Sequence, residues 1–228
     1  MTGHIGLIET FGIFRGLPKD VIGELAGMAV TRTIGKDQLL FQKGDEADGL
    51  YCVLSGRVRI SVQSENGKEI ILNIMQPGEV FGEIALMDGT VRSADASGQE
   101  QADLLLIRRR DFMALVDRSS VLARHMIDLL CRRIRWISSQ VEDTAFLALS
   151  ARLAKRLLLM REAVAPVEGA VTIRISQSEM GQMTGVSREA VNKVLQYWRR
   201  EGWIDLAKGR ISLLDEDALR DVAETPTD

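Results

Sequence analysis

The stretch FGEIALMDGTVRSADA, residues 81–96, gathers several kinds of chemistry in a short span. Gly82 leaves the backbone open to approach, Glu83 offers a carboxylate, and Arg92 carries a forked guanidinium that suits an oxyanion. Ser93 adds a hydroxyl, and Asp88-Gly89 marks a turn between the acidic and basic ends. Two uses of these groups are open. They serve a bound anion, or Glu83 and Arg92 form an internal ion pair that closes the turn.

A second constellation lies in SQSEMGQMTGVSREAVNKVLQYWRREGWI, residues 176–204. Ser176 with Glu179 three residues on predicts a capped helix, Gly185 ends it, and Ser187 opens a second helix that runs to Gly202. Two helices joined by a short glycine turn read as a helix-turn-helix. A second helix laid in a major groove presents its first turn to the base edges. Arg188 would fork onto guanine, Glu189 would accept from cytosine N4, Asn192 would contact adenine, and Lys193 would reach a guanine or a phosphate. The plain alternative is a solvated Arg188 beside a Glu189/Lys193 surface pair worth ~0.3 kcal/mol.

The surrounding elements are legible from periodicity and punctuation. From Thr31 to Arg109 short strands alternate with turn signals, and the hairpin RVRISVQSENGKEIILNIM is the clearest. Val58, Ile60 and Val62, then Ile70, Leu72 and Ile74, are expected to share one buried face, with positive φ angles in a tight Asn66-Gly67 turn. RRDFMALVDR predicts a short helix. Residues 119–147 hold no Gly or Pro, and steps of four and three give the seam Ala123, Ile127, Leu130, Ile134, Ile137, Val141 and Thr144. That narrow apolar stripe predicts a dimerisation helix. A helix around Ser150–Arg161, a linker near Ala165-Pro166, a strand VTIRIS and a two-stranded wing turning at Lys208-Gly209 complete the chain, and TPTD is expected to fray.

The predicted fold is α+β: an antiparallel β-roll over 1–118, a dimerisation helix over 119–147 and a winged helix-turn-helix over 148–228. The formal charge of −3 conceals a basic module, for residues 148–214 carry 11 Lys and Arg against 6 Asp and Glu. Cys52 and Cys131 cannot build an iron–sulfur or zinc cluster and fit a reduced cytoplasmic protein. His4 and His125 stand alone, which argues against a metal or haem site. No apolar run approaches the ~18 residues of a membrane span, and no nucleophile with an ordering base or Walker loop is found, so no enzyme is expected.

These two motifs, in this order, resemble the family of the cyclic-AMP receptor protein and the fumarate–nitrate regulator (CRP/FNR), over nearly the whole chain. FGEIALMDGTVRSADA is similar to its phosphate-binding cassette, and residues 176–204 to its DNA-binding motif. The resemblance implies that Arg92 pairs with a cyclic phosphate, Ser93 hydrogen-bonds it and Glu83 accepts from the ribose 2′-OH. Gly82 would admit the backbone, with the N–H groups of Ile84 and Ala85 as an anion nest. It also implies a homodimer zipped through 119–147 and a palindromic DNA site with TGTGA-like half-sites read by Ser187, Arg188, Glu189, Asn192 and Lys193. RNA polymerase would be a further partner.

One position departs from the pattern. Ile137 stands where cyclic-AMP receptors carry a threonine that touches the adenine amino group, whereas Ser138 matches the serine reaching the base from the partner subunit and Arg133 an arginine near the pocket. Recognition of ribose and phosphate is therefore implied, and the base stays open, cyclic AMP first and cyclic GMP second. Ile137 also lies on the seam and is expected to favour the zipped dimer without ligand. Two alternatives remain: a regulator of this type with another effector or none, and a cupin-like enzyme, which needs a histidine cluster.

Overall fold

A computed structural model describes residues 4–162 and 170–224. The chain forms two compact units, Met1–Arg135 and Trp136–Asp228. In the first, α1 (Ile5–Thr10) and α2 (Lys19–Met28) precede β1 (Ala29–Ile34), β2 (Leu39–Phe41), β3 (Gly49–Ser55), β4 (Val58–Gln63), β5 (Glu69–Met75) and β6 (Val80–Phe81). Then come α3 (Glu83–Asp88), β7 (Asp95–Gly98), β8 (Ala102–Arg108), α4 (Arg109–Arg118) and α5 (Ser120–Phe146), which continues into the second unit.

Two antiparallel sheets, β1-β8-β3-β6 and β2-β7-β4-β5, make the expected roll. Strand alternation divides the core. Tyr51, Val53, Leu104 and Leu106 face inward to meet Val58, Met75 and Ala96 of the other sheet. Leu50, Cys52, Leu105 and Ile107 point the opposite way, into a second cluster with Ile8, Phe14 and Leu25 of the N-terminal helical segment, Phe112 of α4, and Leu122, Met126 and Leu129 of α5. The central strands β3 and β8 are thus buried on both faces. Each such Leu, Ile or Phe contributes about 1.5–3 kcal/mol.

The β4–β5 hairpin forms, but not with the expected face. Its register shifts between Ile60 and Ser61. That bulge inverts the alternation beyond it. Ser61 and Ile71 are buried as a result, while Ile70 and Leu72 are exposed. The turn differs too: Gly67 N–H donates to Ser64 O at 2.9 Å, and Gly67 alone among the loop residues takes positive φ. A longer loop of this kind needs one left-handed residue, where a two-residue turn needs two.

The second unit holds the last turns of α5, then α6 (Leu149–Glu162), β9 (Val171–Ile173), α7 (Gln177–Thr184), α8 (Arg188–Arg200), β10 (Ile204–Ala207), β11 (Arg210–Leu213) and α9 (Glu216–Ala223). Lys155 on α6 pairs with Asp143 on α5 at 2.7 Å, and the Arg156 guanidinium lies 5.6 Å from the Trp136 ring centre. Burial lowers the Arg156 pKa. These contacts fasten the end of α5 to the head. The wing hairpin β10–β11 gains β9 as a third strand, and α9 follows it, capped by Asp215 and tied to α6 through Arg161–Glu216 at 2.8 Å. The expected linker at Ala165-Pro166 and the TPTD end lie outside the described residues.

Candidate functional site

Gly82 is the pivot of the cassette. It leaves β6 with φ +83° and opens α3, a left-handed conformation that disfavours any side chain. A Cβ built there would stand 2.4 Å from Arg92 Nη1. Arg92 needs that space. Its side chain is almost fully buried, Nη1 donates to Gly82 O at 2.9 Å, and Nη2 donates to Asp48 Oδ1 at 2.6 Å and Gly49 O at 2.8 Å. The guanidinium rests 4.2 Å over the Phe41 ring, and Phe41, Tyr51 and Phe81 pack beneath it. Tyr51 donates to Asp48 Oδ2 at 2.5 Å, and burial first, then that bond, raises the phenol pKa. Arg92 Nε has no hydrogen-bond partner.

Glu83 and Arg92 do not pair with each other. Glu83 is buried, and its Oε1 accepts from Arg133 Nε at 3.2 Å, while Arg133 Nη2 donates to Val80 O at 2.8 Å. The turn-closing ion pair is replaced by two longer-range pairs, Arg92–Asp48 and Arg133–Glu83, because each buried charge takes a partner from another element. Arg133 ties α5 to the cassette. Ile84 and Ser93 are exposed, Ala85 is buried, and the N–H groups at the start of α3 have no partner within that helix.

These groups suit an anion. A buried Nε–H without an acceptor, a position where no Cβ fits and an exposed hydroxyl at Ser93 are the means of holding a phosphate. Substituting Gly82 by Ala is expected to destabilise the chain by about 1–2 kcal/mol through the left-handed backbone, and to dislodge Arg92 as well. Thermal unfolding monitored by circular dichroism checks the first effect and ligand titration the second.

On α5, one stripe of Leu122, Met126 and Leu129 is buried in the first unit's core. The predicted seam faces elsewhere. Ile127, Ile134, Ile137 and Val141 are 57, 62, 50 and 63% exposed. Ile137 and Ser138 fall in the second unit, both exposed on α5.

In the head, Ser176 and Glu179 form the predicted capping box, Gly185 closes α7 with φ +72°, and Ser187 caps α8 by accepting from Ala190 N. Val191, Leu195 and Trp198 are buried, so α8 turns Arg188, Glu189 and Lys193 to the outside. Hydrogen bonds from its own backbone N–H and from the Ser187 side chain hold the Glu189 carboxyl below the usual range, which keeps it an acceptor. Asn192 is half-buried, and its Oδ1 accepts from Gln177 Nε2 at 3.0 Å. Arg152 Nη1 donates to Thr184 O at 3.2 Å and so steadies the turn from α6.

Sequence reading missed several participants. Asp48, Tyr51 and Phe41 meet Arg92 across sheets, and no local signal marks them. Lys208 and Arg210 join Arg188, Ser176 and Gln177 around a cleft of about 320 Å³ between the wing and the two helices. The local positive charge was the available clue. Among the described residues no group of three or more His, Cys, Asp or Glu is placed to hold a metal ion, and no helix is long and apolar enough to cross a membrane.

Comparison with known proteins agrees with both halves of the chain. Residues 31–119 match the cyclic nucleotide-binding domain and residues 151–222 the Crp-like helix-turn-helix domain. The chain is 31% identical over 212 residues to the cyclic AMP receptor protein of Thermus thermophilus, covering 92% of this chain and 96% of that one. It is 35% identical over 161 residues to the cAMP-activated global transcriptional regulator CRP of Pasteurella multocida, covering 69% and 77%. FixK2 from Bradyrhizobium japonicum shares the fold with a TM-score of 0.79 at 21% identity, over 87% of this chain and 99% of that one. Relatives of this kind are transcriptional regulators and not enzymes, and the cupin-like alternative falls. The chain belongs to the CRP/FNR family of DNA-binding transcriptional regulators with a cyclic nucleotide-binding domain.

Proposed function

We propose that the chain works as a homodimer that binds a cyclic nucleotide in the β-roll and, in response, reads a palindromic DNA site with its two heads. One observation carries the effector half: Arg92, buried among Gly82, Gly49 and Asp48, keeps an Nε–H with no acceptor. When bound, the nucleotide supplies an anion and a ribose hydroxyl. Arg92 and Ser93 would hold the phosphate, with the N–H groups of Ile84 and Ala85 beside them, and Glu83 would accept from the ribose. Arg133 grips Glu83, so an event at Glu83 reaches α5 directly. Cyclic AMP is the first choice because the Thermus and Pasteurella relatives are named for it; cyclic GMP is the second.

Three domains follow from this reading: an effector roll over 1–118, a dimerisation helix over 119–147 and a DNA-binding head over 148–228. A two-fold dimer fits half-sites about one helical turn apart, TGTGA-like by kinship. Ser187, Arg188, Glu189, Asn192 and Lys193 would face the bases, Lys208 and Arg210 would meet phosphates, and RNA polymerase would be the protein partner.

Arg188→Ala is expected to cost about 1–3 kcal/mol and relax one base pair. Lys208→Ala would instead weaken all sequences alike and reduce the salt slope by about 1. Fluorescence anisotropy across sequences and salt concentrations separates the two.

Charge compensation favours a second reading. Asp48 and Arg133 already neutralise Arg92 and Glu83, so the cassette is stable without ligand and the regulator would bind DNA constitutively or answer another effector. Anisotropy of a labelled palindromic duplex, with and without cyclic AMP, decides between them. Tightening by about 5–150-fold supports nucleotide control; equal affinity in both supports the second reading.

A further inference from the structure

The Asn192 amide is committed on one side. Its carbonyl oxygen has two lone pairs. Gln177 Nε2, from the first helix of the motif, reaches it at 3.0 Å, and Gln196 Nε2, one turn along α8, at 3.4 Å. Two amides converge on one atom, so that atom acts as the acceptor; reversing it would oblige both glutamines to reverse as well. What Asn192 keeps for the groove is its NH2 group. An adenine edge asks one amide for an acceptor toward N6 and a donor toward N7 together. With the acceptor engaged, only acceptors on the DNA are left to meet: guanine offers two, O6 and N7, whereas adenine N7 and thymine O4 are single and the adenine N6–H2 beside N7 finds no acceptor.

We propose that Asn192 reads its base pair as a donor only, and that Gln177 is the positioning residue that imposes this by holding the Asn192 carbonyl, so that guanine, with two acceptors, is preferred to adenine there. The inference rests on the DNA-reading role proposed above and gives that same helix face a specificity. It also corrects the adenine contact expected from residue type alone. Arg188, one turn before, and Lys193, the next residue, flank Asn192 on the exposed side of α8, so the three would address neighbouring bases.

The test selects bound duplexes from a pool with randomised half-sites, using the full chain with saturating cyclic AMP and, in parallel, without nucleotide. Wild type is expected to enrich a two-fold motif. Asn192→Ala should flatten one symmetric pair of positions, which locates the contact, and wild type should hold guanine there. The double change Gln177→Ala with Gln196→Ala should move that position toward adenine by about tenfold. A purely structural tie would change stability without changing base choice. If the alanine version fails to fold, Gln177→Leu, which removes the donor and keeps bulk, carries the same expectation. Adenine already enriched by wild type at that position, an unmoved preference in the double variant, or no position flattened by Asn192→Ala would each overturn the inference and leave the DNA-reading role standing. A wild type that enriches no motif would overturn that role, and the inference with it.

Discussion

Arg92→Leu is expected to abolish cyclic-nucleotide binding and to lower the stability of the chain by about 2–4 kcal/mol. Both effects come from one guanidinium. It satisfies the carbonyls of Gly82 and Gly49, which leucine would leave without a donor, and each such buried acceptor costs about 1–3 kcal/mol. Asp48 is the lesser loss, because its side chain is 45% exposed and water can replace the ion pair. Leucine would still pack on Phe41, which limits the damage and lets the variant fold. Arg92→Lys separates the two effects, since an ammonium keeps the charge but lacks the fork. It should retain most of the stability and lose most of the binding. Calorimetric titration and urea unfolding measure each; nucleotide binding by Arg92→Leu at wild-type strength would remove Arg92 from the site.

The second large effect is expected at the seam. Replacing Ile134 and Ile137 together by Glu should turn the proposed dimer into a monomer at micromolar concentration. Both side chains are at least half exposed in the single chain, although the neighbouring stripe of the same helix is packed into the core. A two-fold interface repeats each substitution, so four isoleucines lose their cover. At about 1.5 kcal/mol each this is roughly 6 kcal/mol, on the order of 10⁴-fold in the dissociation constant, before any repulsion between carboxylates. Sedimentation velocity reads the result directly, and an intact dimer would refute the seam. Ile137→Thr is the milder probe: if Ile137 pre-zips the ligand-free dimer, operator affinity without nucleotide should fall. An unchanged affinity would end that idea.

The head was legible because its signals are local. Ser176, Glu179, Gly185 and Ser187 each act within a few residues of themselves, and their spacing alone specifies cap, turn and cap. The cassette was half legible. Gly82 and Arg92 meet as residues of one short stretch, but Asp48 lies 44 positions from Arg92 and Arg133 lies 50 from Glu83, distances that only the folded sheets and α5 close. Asn192 shows the same limit on a smaller scale. Its residue type suggests an adenine contact, whereas Gln177, 15 positions earlier, uses the acceptor that contact requires.

The β4–β5 hairpin failed for a different reason. Alternation specifies a face only while the register is unbroken, and one bulge after Ile60 sends Ile71 inward where Ile70 was expected. The N-terminal helices carried a readable pattern in Val21, Ile22, Leu25 and Ala26, spaced as one helix face. Six glycines in the first 27 residues obscured it, since glycine lowers helix propensity by about 1 kcal/mol.

The most direct measurement is titration calorimetry of the nucleotide-stripped protein with cyclic AMP, cyclic GMP and cyclic di-GMP. Saturable micromolar binding of a cyclic mononucleotide, cyclic AMP first, is expected, and it should disappear in Arg92→Leu. Preference for cyclic GMP would keep the cassette and make Ile137 the residue to test for base choice. Absence of heat with every nucleotide, in a protein that still binds its operator, would rule out nucleotide control and leave Arg92–Asp48 and Arg133–Glu83 as structural pairs alone.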